Sequence, residues 1–187
     1  MDFKRQPYFL SIFLVVNLTI NVSNFGIGLS EIVYITPSAN TPCHNAETCL
    51  TLSQFAANNS WLRPNTAVIL PPSGNHTLNV NMIISNTANF SMLSEGESRI
   101  SIICQQNAHL IFVHINRVWV RGLQFVGCGN NTVESVKNLK VEDCTYQGQA
   151  GSGTAVILIN TNAIIQKTHF VSNTLGIKLP FLDTNIY

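Results

Sequence analysis

Residues 116–173 read NRVWVRGLQFVGCGNNTVESVKNLKVEDCTYQGQAGSGTAVILINTNAIIQKTHFVSN, and this stretch repeats itself. Three aromatic anchors, Phe125, Tyr146 and Phe170, are separated by 21 and then 24 residues. Small or apolar residues precede them at fixed distances: Leu123, Cys144 and Thr168 two before, Val120, Val141 and Ile165 five before, Val118, Leu139 and Ala163 seven before. A period of about 20 to 25 residues carried by strands is typical of a β-solenoid.

Strand alternation places Val118 and Val120 inside a coil and Trp119 outside. A third strand fits the same register, since Leu158 precedes Phe170 much as Phe112 precedes Phe125. The sequence therefore predicts an all-β fold, a right-handed parallel β-helix with three strands per coil. A β-sandwich of short strands is the alternative, but a sandwich does not require such a period.

Only 10% of the residues are charged and the formal net charge is +1, which argues against a nucleic-acid binder. Residues 1–30 resemble a secretory signal peptide with a basic start, a short apolar run at 8–16 and small residues before position 31. An uncleaved membrane anchor is the alternative, although the run is short for a span. After cleavage we expect no membrane span and a secreted or extracellular protein, at the cell surface if it belongs to a longer anchored chain.

The remaining chain is expected to divide into three parts. Residues 31–65 form an N-terminal loop and a short capping helix, for which Thr51 and Gln54 provide a capping box. Residues 66–175 form the β-helix coils, and 176–187 form a truncated C-terminal tail. Because no C-terminal cap is recognisable, the exposed last coil is expected to self-associate.

Secretion would permit disulfides among the five cysteines. Cys43 and Cys49 would close a small loop, and Cys104 and Cys128 lie one coil apart, nearly above each other. Cys144 is then left as a buried free thiol. Four sequons follow the leader and are candidate glycosylation sites, at Asn58, Asn75, Asn89 and Asn130.

Several motifs carry a resemblance: residues 43–49 (CHNAETC), 50–55 (LTLSQF), 122–129 (GLQFVGCG) and 151–155 (GSGTA). With them the chain resembles the N-terminal part of animal extracellular pectin-lyase-like β-helix proteins, which are mostly uncharacterised. The resemblance implies the fold more than a function. Because such proteins are usually longer, the chain is interpreted as a truncated form or fragment.

Enzymes of this fold cleave acidic polysaccharides with clustered carboxylates, or with calcium and a basic residue. Here Glu142 and Asp143 are the only adjacent carboxylate pair, and the aspartate pairs of polygalacturonases and the Arg-rich strand motifs of pectate lyases are absent. The five histidines show no ligand spacing. We expect no catalytic residue, no metal and no cofactor.

The main candidate ligand-binding stripe is Arg117, Trp119 and Arg121 with Lys140 one coil on. There Trp119 would stack on a sugar and the cations would meet sulfate or carboxylate. The preferred interpretation is cross-strand pairing, with Arg121 on Glu142 and the Lys140 stem over Trp119. Either way Trp119 faces outward, so its removal is expected to leave folding nearly unchanged.

The sequence thus favours a non-catalytic secreted or cell-surface β-helix module that binds glycans or extracellular proteins. A polysaccharide lyase or hydrolase is one alternative, and a truncated isoform without independent activity is the other.

Overall fold

The chain is a parallel β-solenoid of about four turns, which confirms the predicted fold class. The structure, a computed structural model, describes residues 31–38, 50–58, 62–72, 74–148, 153–179 and 185–186. Three parallel sheets form the walls of the solenoid, and successive strands visit the sheets in strict rotation from β3 (Thr66–Leu70) onward. The predicted leader at 1–30 lies outside the described residues.

The described residues contain eighteen strands, which belong to the three sheets. Sheet 1 runs, in spatial order, through β18 (Asn185–Ile186), β15 (Asn162–Gln166), β12 (Asn138–Glu142), β9 (Arg117–Arg121), β6 (Asn89–Ser94), β3, β1 (Glu31–Thr36) and β2 (Leu50–Thr51). Sheet 2 contains β16 (His169–Val171), β13 (Thr145–Gln147), β10 (Leu123–Val126), β7 (Ile100–Cys104) and β4 (His76–Leu78). Sheet 3 contains β17 (Leu175–Lys178), β14 (Thr154–Ile159), β11 (Asn131–Glu134), β8 (Leu110–Val113) and β5 (Met82–Ser85).

One short helix, α1 (Leu52–Ala57), covers the N-terminal end of the coils as predicted. It begins with the predicted capping box, in which the Thr51 side chain accepts from Gln54 N and the Gln54 side chain accepts from Thr51 N. The Ser53 hydroxyl donates to Thr77 O (2.9 Å) and accepts from Asn79 N (3.1 Å). The helix therefore supplies hydrogen-bond partners for the backbone at the outermost strand of sheet 2, a site where a solenoid would otherwise expose its edge.

The core consists of inward rows in which each residue lies over its equivalent in the next coil. The predicted anchors form one such row: Phe125 pairs with Tyr146, and Tyr146 with Phe170. Their rings stack with centroids 4.9 Å and 5.5 Å apart. Aromatic pairs of this geometry add about 0.5–1.5 kcal/mol beyond their burial, which favours the native register over a slipped one.

Two buried polar side chains fix the stacking of coils from within. Asn131 accepts from Leu110 N (3.0 Å) and donates to Ala155 O (2.9 Å), so it joins β8, β11 and β14. Thr161 donates to Ile159 O (2.9 Å) and accepts from Val136 N (3.3 Å). Since a buried polar group is costly without its partners, these bonds tie the coils to one alignment.

The corners between strands require left-handed backbone. Gly122, Asp143 and Lys167 occupy the same corner in three successive coils, with φ of 68°, 52° and 51°. A Cβ on Gly122 would overlap the Ser94 side chain, so glycine relieves this overlap as well as the strain of the left-handed backbone. Asparagine, which tolerates this conformation, takes several other corners: Asn65, Asn86, Asn107 and Asn160.

Candidate binding face on sheet 1

The predicted stripe lies on the outer face of sheet 1. Arg117, Trp119 and Arg121 alternate along β9, and the valines between them belong to the interior core. The pairing of β12 with β9 has the predicted register. The cross-strand neighbours are Asn138 beside Arg117, Lys140 beside Trp119 and Glu142 beside Arg121. We call the four predicted residues Arg117, Trp119, Arg121 and Lys140, together with Glu142, the β9–β12 face.

Trp119 is buried in this face, with 4% of its surface exposed. It belongs to a second hydrophobic cluster outside the coil, which comprises Ala67, Ile69, Leu93 and Trp119 with Tyr34 packed against it. The expectation that Trp119 stands out from the surface to stack on a sugar is therefore wrong, and the effect of its removal on folding stays a prediction. Part of the signal was present in β3, whose outward residues Ala67 and Ile69 are apolar like the inward ones, a pattern of strands buried on both faces.

Lys140 connects the tryptophan to a carboxylate. Its Nζ lies 5.4 Å from the centroid of the Trp119 ring and 2.9 Å from Glu142 Oε2. Gln166, one coil further on, donates from Nε2 to Glu142 Oε1 at 2.9 Å. The geometry agrees with the preferred interpretation of cross-strand pairing for Lys140 and Trp119. For Glu142 the ion-pair partner is Lys140, while Arg121 lies beside it in the ladder.

The environment keeps Glu142 ionised. Burial by itself would raise the pKa of its carboxyl, but the hydrogen bond and charge of Lys140, then the bond from Gln166 and the charge of Arg121, lower the pKa below its ordinary value. A carboxylate with a lowered pKa is a poor general acid at neutral pH. Glu142 instead serves as the counter-ion within a face that otherwise carries three cations.

Asp143, the neighbour of Glu142, belongs to a different network. It lies at the corner after β12, and Arg99 reaches its Oδ1 with Nη2 at 2.7 Å while donating from Nη1 to Thr145 Oγ1 at 3.1 Å. Gly122 occupies the corner of the intervening coil and has no side chain in the way. The only adjacent carboxylates are therefore held by different cations and do not converge on one site.

The described residues contain no group of three or more His, Cys, Asp or Glu side chains that could hold a metal ion. Among these same residues, no helix is long and apolar enough to cross a bilayer.

Two cysteine predictions are confirmed. Cys104 and Cys128 form a disulfide with Cα atoms 4.7 Å apart, in the register that pairs Ile100 with Leu123. Cys144 is a buried free thiol whose pKa burial raises to about 12. Cys43 and Cys49 lie outside the described residues, so their pairing stays a prediction.

The sequon asparagines differ in accessibility. Asn58 and Asn75 are exposed, whereas Asn89 and Asn130 are half-buried. The two residues that complete the Asn58 sequon lie outside the described part of the chain. Whether any of the four carries a glycan stays a prediction.

No known protein family, curated protein or solved structure matches this chain. The resemblance to pectin-lyase-like proteins therefore stays a hypothesis, while the parallel β-solenoid itself is shown by the strand pairing.

Proposed function

We propose that this chain is a non-catalytic, secreted or cell-surface β-solenoid module that binds acidic glycans through the β9–β12 face. The observation that carries the proposal is the placement of Arg117, Arg121 and Lys140 on the outer side of two hydrogen-bonded strands. Arg117 and Arg121 lie about 13 Å apart along β9, and Lys140 lies at the level between them on the neighbouring strand about 4.8 Å away, so the three cations form a short row.

Rigid positioning favours anion binding by these cations. Arg117 and Arg121 are half-buried on a central strand, and Lys140 is aligned by Trp119 and Glu142. A guanidinium presents paired N–H donors that match sulfate or carboxylate oxygens, and little side-chain freedom remains to be lost on binding. Sulfated or uronate-containing glycans supply such groups at short intervals. In this interpretation Trp119 supports the face from beneath instead of stacking on the sugar.

The test is direct binding of heparin, as a sulfated probe, to the purified protein at two salt concentrations. Arg117→Ala/Arg121→Ala should weaken binding about tenfold or more and reduce its salt dependence, since two cations are lost. Lys178→Ala is the matched control, because Lys178 is an exposed cation on sheet 3. Equal affinity of the double variant and the control would overturn the proposal.

Glu142→Gln provides a second test, in which the affinity for heparin should rise instead of fall. It removes the negative charge from the face and releases Lys140 from its 2.9 Å ion pair. Affinity for heparin should therefore rise by a few fold. An unchanged or lowered affinity would place the bound anion away from this face.

The alternatives have less support. For a polysaccharide lyase or hydrolase, the divergence of Glu142 and Asp143 leaves no acid–base pair at that position. Release of reducing sugars or unsaturated products from pectin or heparin would favour it. A truncated isoform without independent activity would show neither binding nor turnover in these assays. Binding of an extracellular protein in place of a glycan would give no heparin signal in this assay.

The proposed location rests on the leader-like pattern at 1–30 and on the disulfide. The Cys104–Cys128 bond indicates an oxidising compartment, because disulfides seldom persist in the cytosol. Membership of the pectin-lyase-like group is part of the same proposal, with the solenoid and the motifs at 122–129 and 151–155 as its support. Appearance of the protein in the culture medium of eukaryotic cells, with the leader removed, is the corresponding test.

Self-association is a second interaction that the exposed surface favours. On the last described coil several apolar side chains are well exposed: Ile164, Val171, Leu175 and Leu179. Leu175 is 49% exposed although its ladder partner Thr154 is buried, since β17 is the outermost strand of sheet 3. Such apolar strand edges tend to pair between copies. Sedimentation velocity over a hundredfold dilution should show concentration-dependent association, and a monomer throughout would contradict it.

A further inference from the structure

Two sequons lie in contrasting structural settings within the described residues. Asn75 precedes β4, the outermost strand of sheet 2, whereas Asn89 begins β6, a central strand of sheet 1 between β3 and β9. The acceptor nitrogen of a sequon must be free to carry a bulky sugar at the surface. We propose that Asn75 is the N-glycosylated residue of this pair and that the folded chain excludes a glycan at Asn89; this inference rests on the proposed secretion.

Local packing turns Asn75 toward solvent. His76 and Leu78 are completely buried, and His76 Nε2 lies 3.3 Å from Pro71 O. Because strand side chains alternate, these two inward anchors direct Asn75 and Thr77 to the other side. Asn75 is exposed, and among the described residues no further strand of sheet 2 lies beyond β4. A glycan there projects outward from the N-terminal end of the sheet.

Asn89 is enclosed by the ladder in both stacking directions. On one side its Nδ2 donates to Asn65 Oδ1, and on the other side its cross-strand neighbour is Arg117. The rest of the sequon is also interior: Phe90 is completely buried, and Ser91 is 1% exposed with Trp119 as its cross-strand neighbour. A sugar on Asn89 Nδ2 would break the bond to Asn65 and would have to fit among outer-face side chains on strands about 4.8 Å apart.

The test uses substitutions that abolish each sequon without changing its asparagine. Thr77→Ala removes the hydroxyl residue that completes the Asn75 sequon, and Ser91→Ala removes the one that completes the Asn89 sequon. In the part of the chain that the structure describes, the Ser91 hydroxyl has no hydrogen-bond partner. The full chain is expressed in secretory eukaryotic cells, and the released protein is treated with peptide N-glycosidase in ¹⁸O water before mass spectrometry.

We expect ¹⁸O-labelled aspartate at position 75 and unlabelled asparagine at position 89. Thr77→Ala should lose one glycan by electrophoretic mobility, and Ser91→Ala should match the unsubstituted chain. Label at position 89 in released protein, or none at position 75, would overturn the inference. A second version of the full chain carries a foreign leader, so that failure of the proposed secretion can be distinguished from failure of the glycosylation proposal. If only this version is released, residues 1–30 do not act as a secretion signal. Glycan occupancy at Asn75 and Asn89 can still be measured on the released protein.

Discussion

Replacing Trp119 by alanine should destabilise the fold strongly although the side chain faces away from the coil interior. A buried tryptophan removes about 200 Å² from water, so its loss costs at most about 5 kcal/mol at about 25 cal/mol per Å². Deletion of large aromatic side chains from cores costs about 3–5 kcal/mol. The cluster around Trp119 is small, which favours a value of about 3 kcal/mol, including a fraction from the Lys140 contact at 5.4 Å.

Urea unfolding followed by far-ultraviolet circular dichroism measures this cost. Ile164→Ala is the matched control, because Ile164 belongs to the same outward row as Trp119 and Lys140 but is 45% exposed. We expect the control to lose about 1 kcal/mol or less. Trp119→Phe should fall between the two, since phenylalanine retains most of the apolar contact.

A Trp119→Ala variant within about 0.5 kcal/mol of the unsubstituted protein would refute the reasoning. It would mean that the outer cluster contributes nothing to folding and that the tryptophan is available to a ligand. In that event stacking on a sugar ring would become the better explanation of the face.

Three further predictions concern polar and ionisable side chains. Asn131→Leu should lower the free energy of unfolding by about 2–4 kcal/mol, because Leu110 N and Ala155 O lose their hydrogen-bond partner. Asn138→Leu is the control at an exposed position and should leave the free energy of unfolding nearly unchanged in the same urea titration. Native Cys144 should react with iodoacetamide at pH 8 at least about a thousandfold more slowly than an ordinary thiol, since its pKa rises from 9.0 to about 12; rapid labelling before unfolding would contradict its burial. The stability that Glu142 contributes should be present above its ordinary pKa of 4.5 and be lost as the pH falls through its lowered folded pKa; a stability difference from Glu142→Gln that stays constant down to pH 2 would be inconsistent with this.

The interior of the solenoid could be predicted because it must repeat. Each inward residue lies over its equivalent one coil away, so Phe125, Tyr146 and Phe170 recur at nearly constant spacing. The same spacing places Cys104 over Cys128, so their disulfide could be predicted once secretion was assumed. A one-residue slip would turn every inward side chain outward, so the sequence carries this information redundantly.

The outer contacts were harder to predict because they do not follow the period. Arg99 bonds to Asp143, 44 residues away, across an intervening coil in which Gly122 leaves room for its side chain. A prediction that pairs each coil only with the coils directly above and below it misses a contact that spans two coils. The burial of Trp119 was difficult to predict for a related reason. It depends on outward apolar residues of β3 and β6, and these residues do not recur from coil to coil in a way that marks them as a cluster.

The difference between inner and outer rows also indicates where recognition can reside. The inner row of sheet 1 through Val118 stays apolar over several coils: Phe90, Val118, Leu139 and Ala163. The outer row beside it changes between apolar, polar, aromatic and charged side chains from coil to coil: Ala67, Ser91, Trp119, Lys140 and Ile164. Stacking requires the first row to be uniform but places no such demand on the second. A ligand that binds at one level of a periodic scaffold must contact residues that break the period, and the cations of β9 and β12 break it on sheet 1, which supports the proposed β9–β12 face.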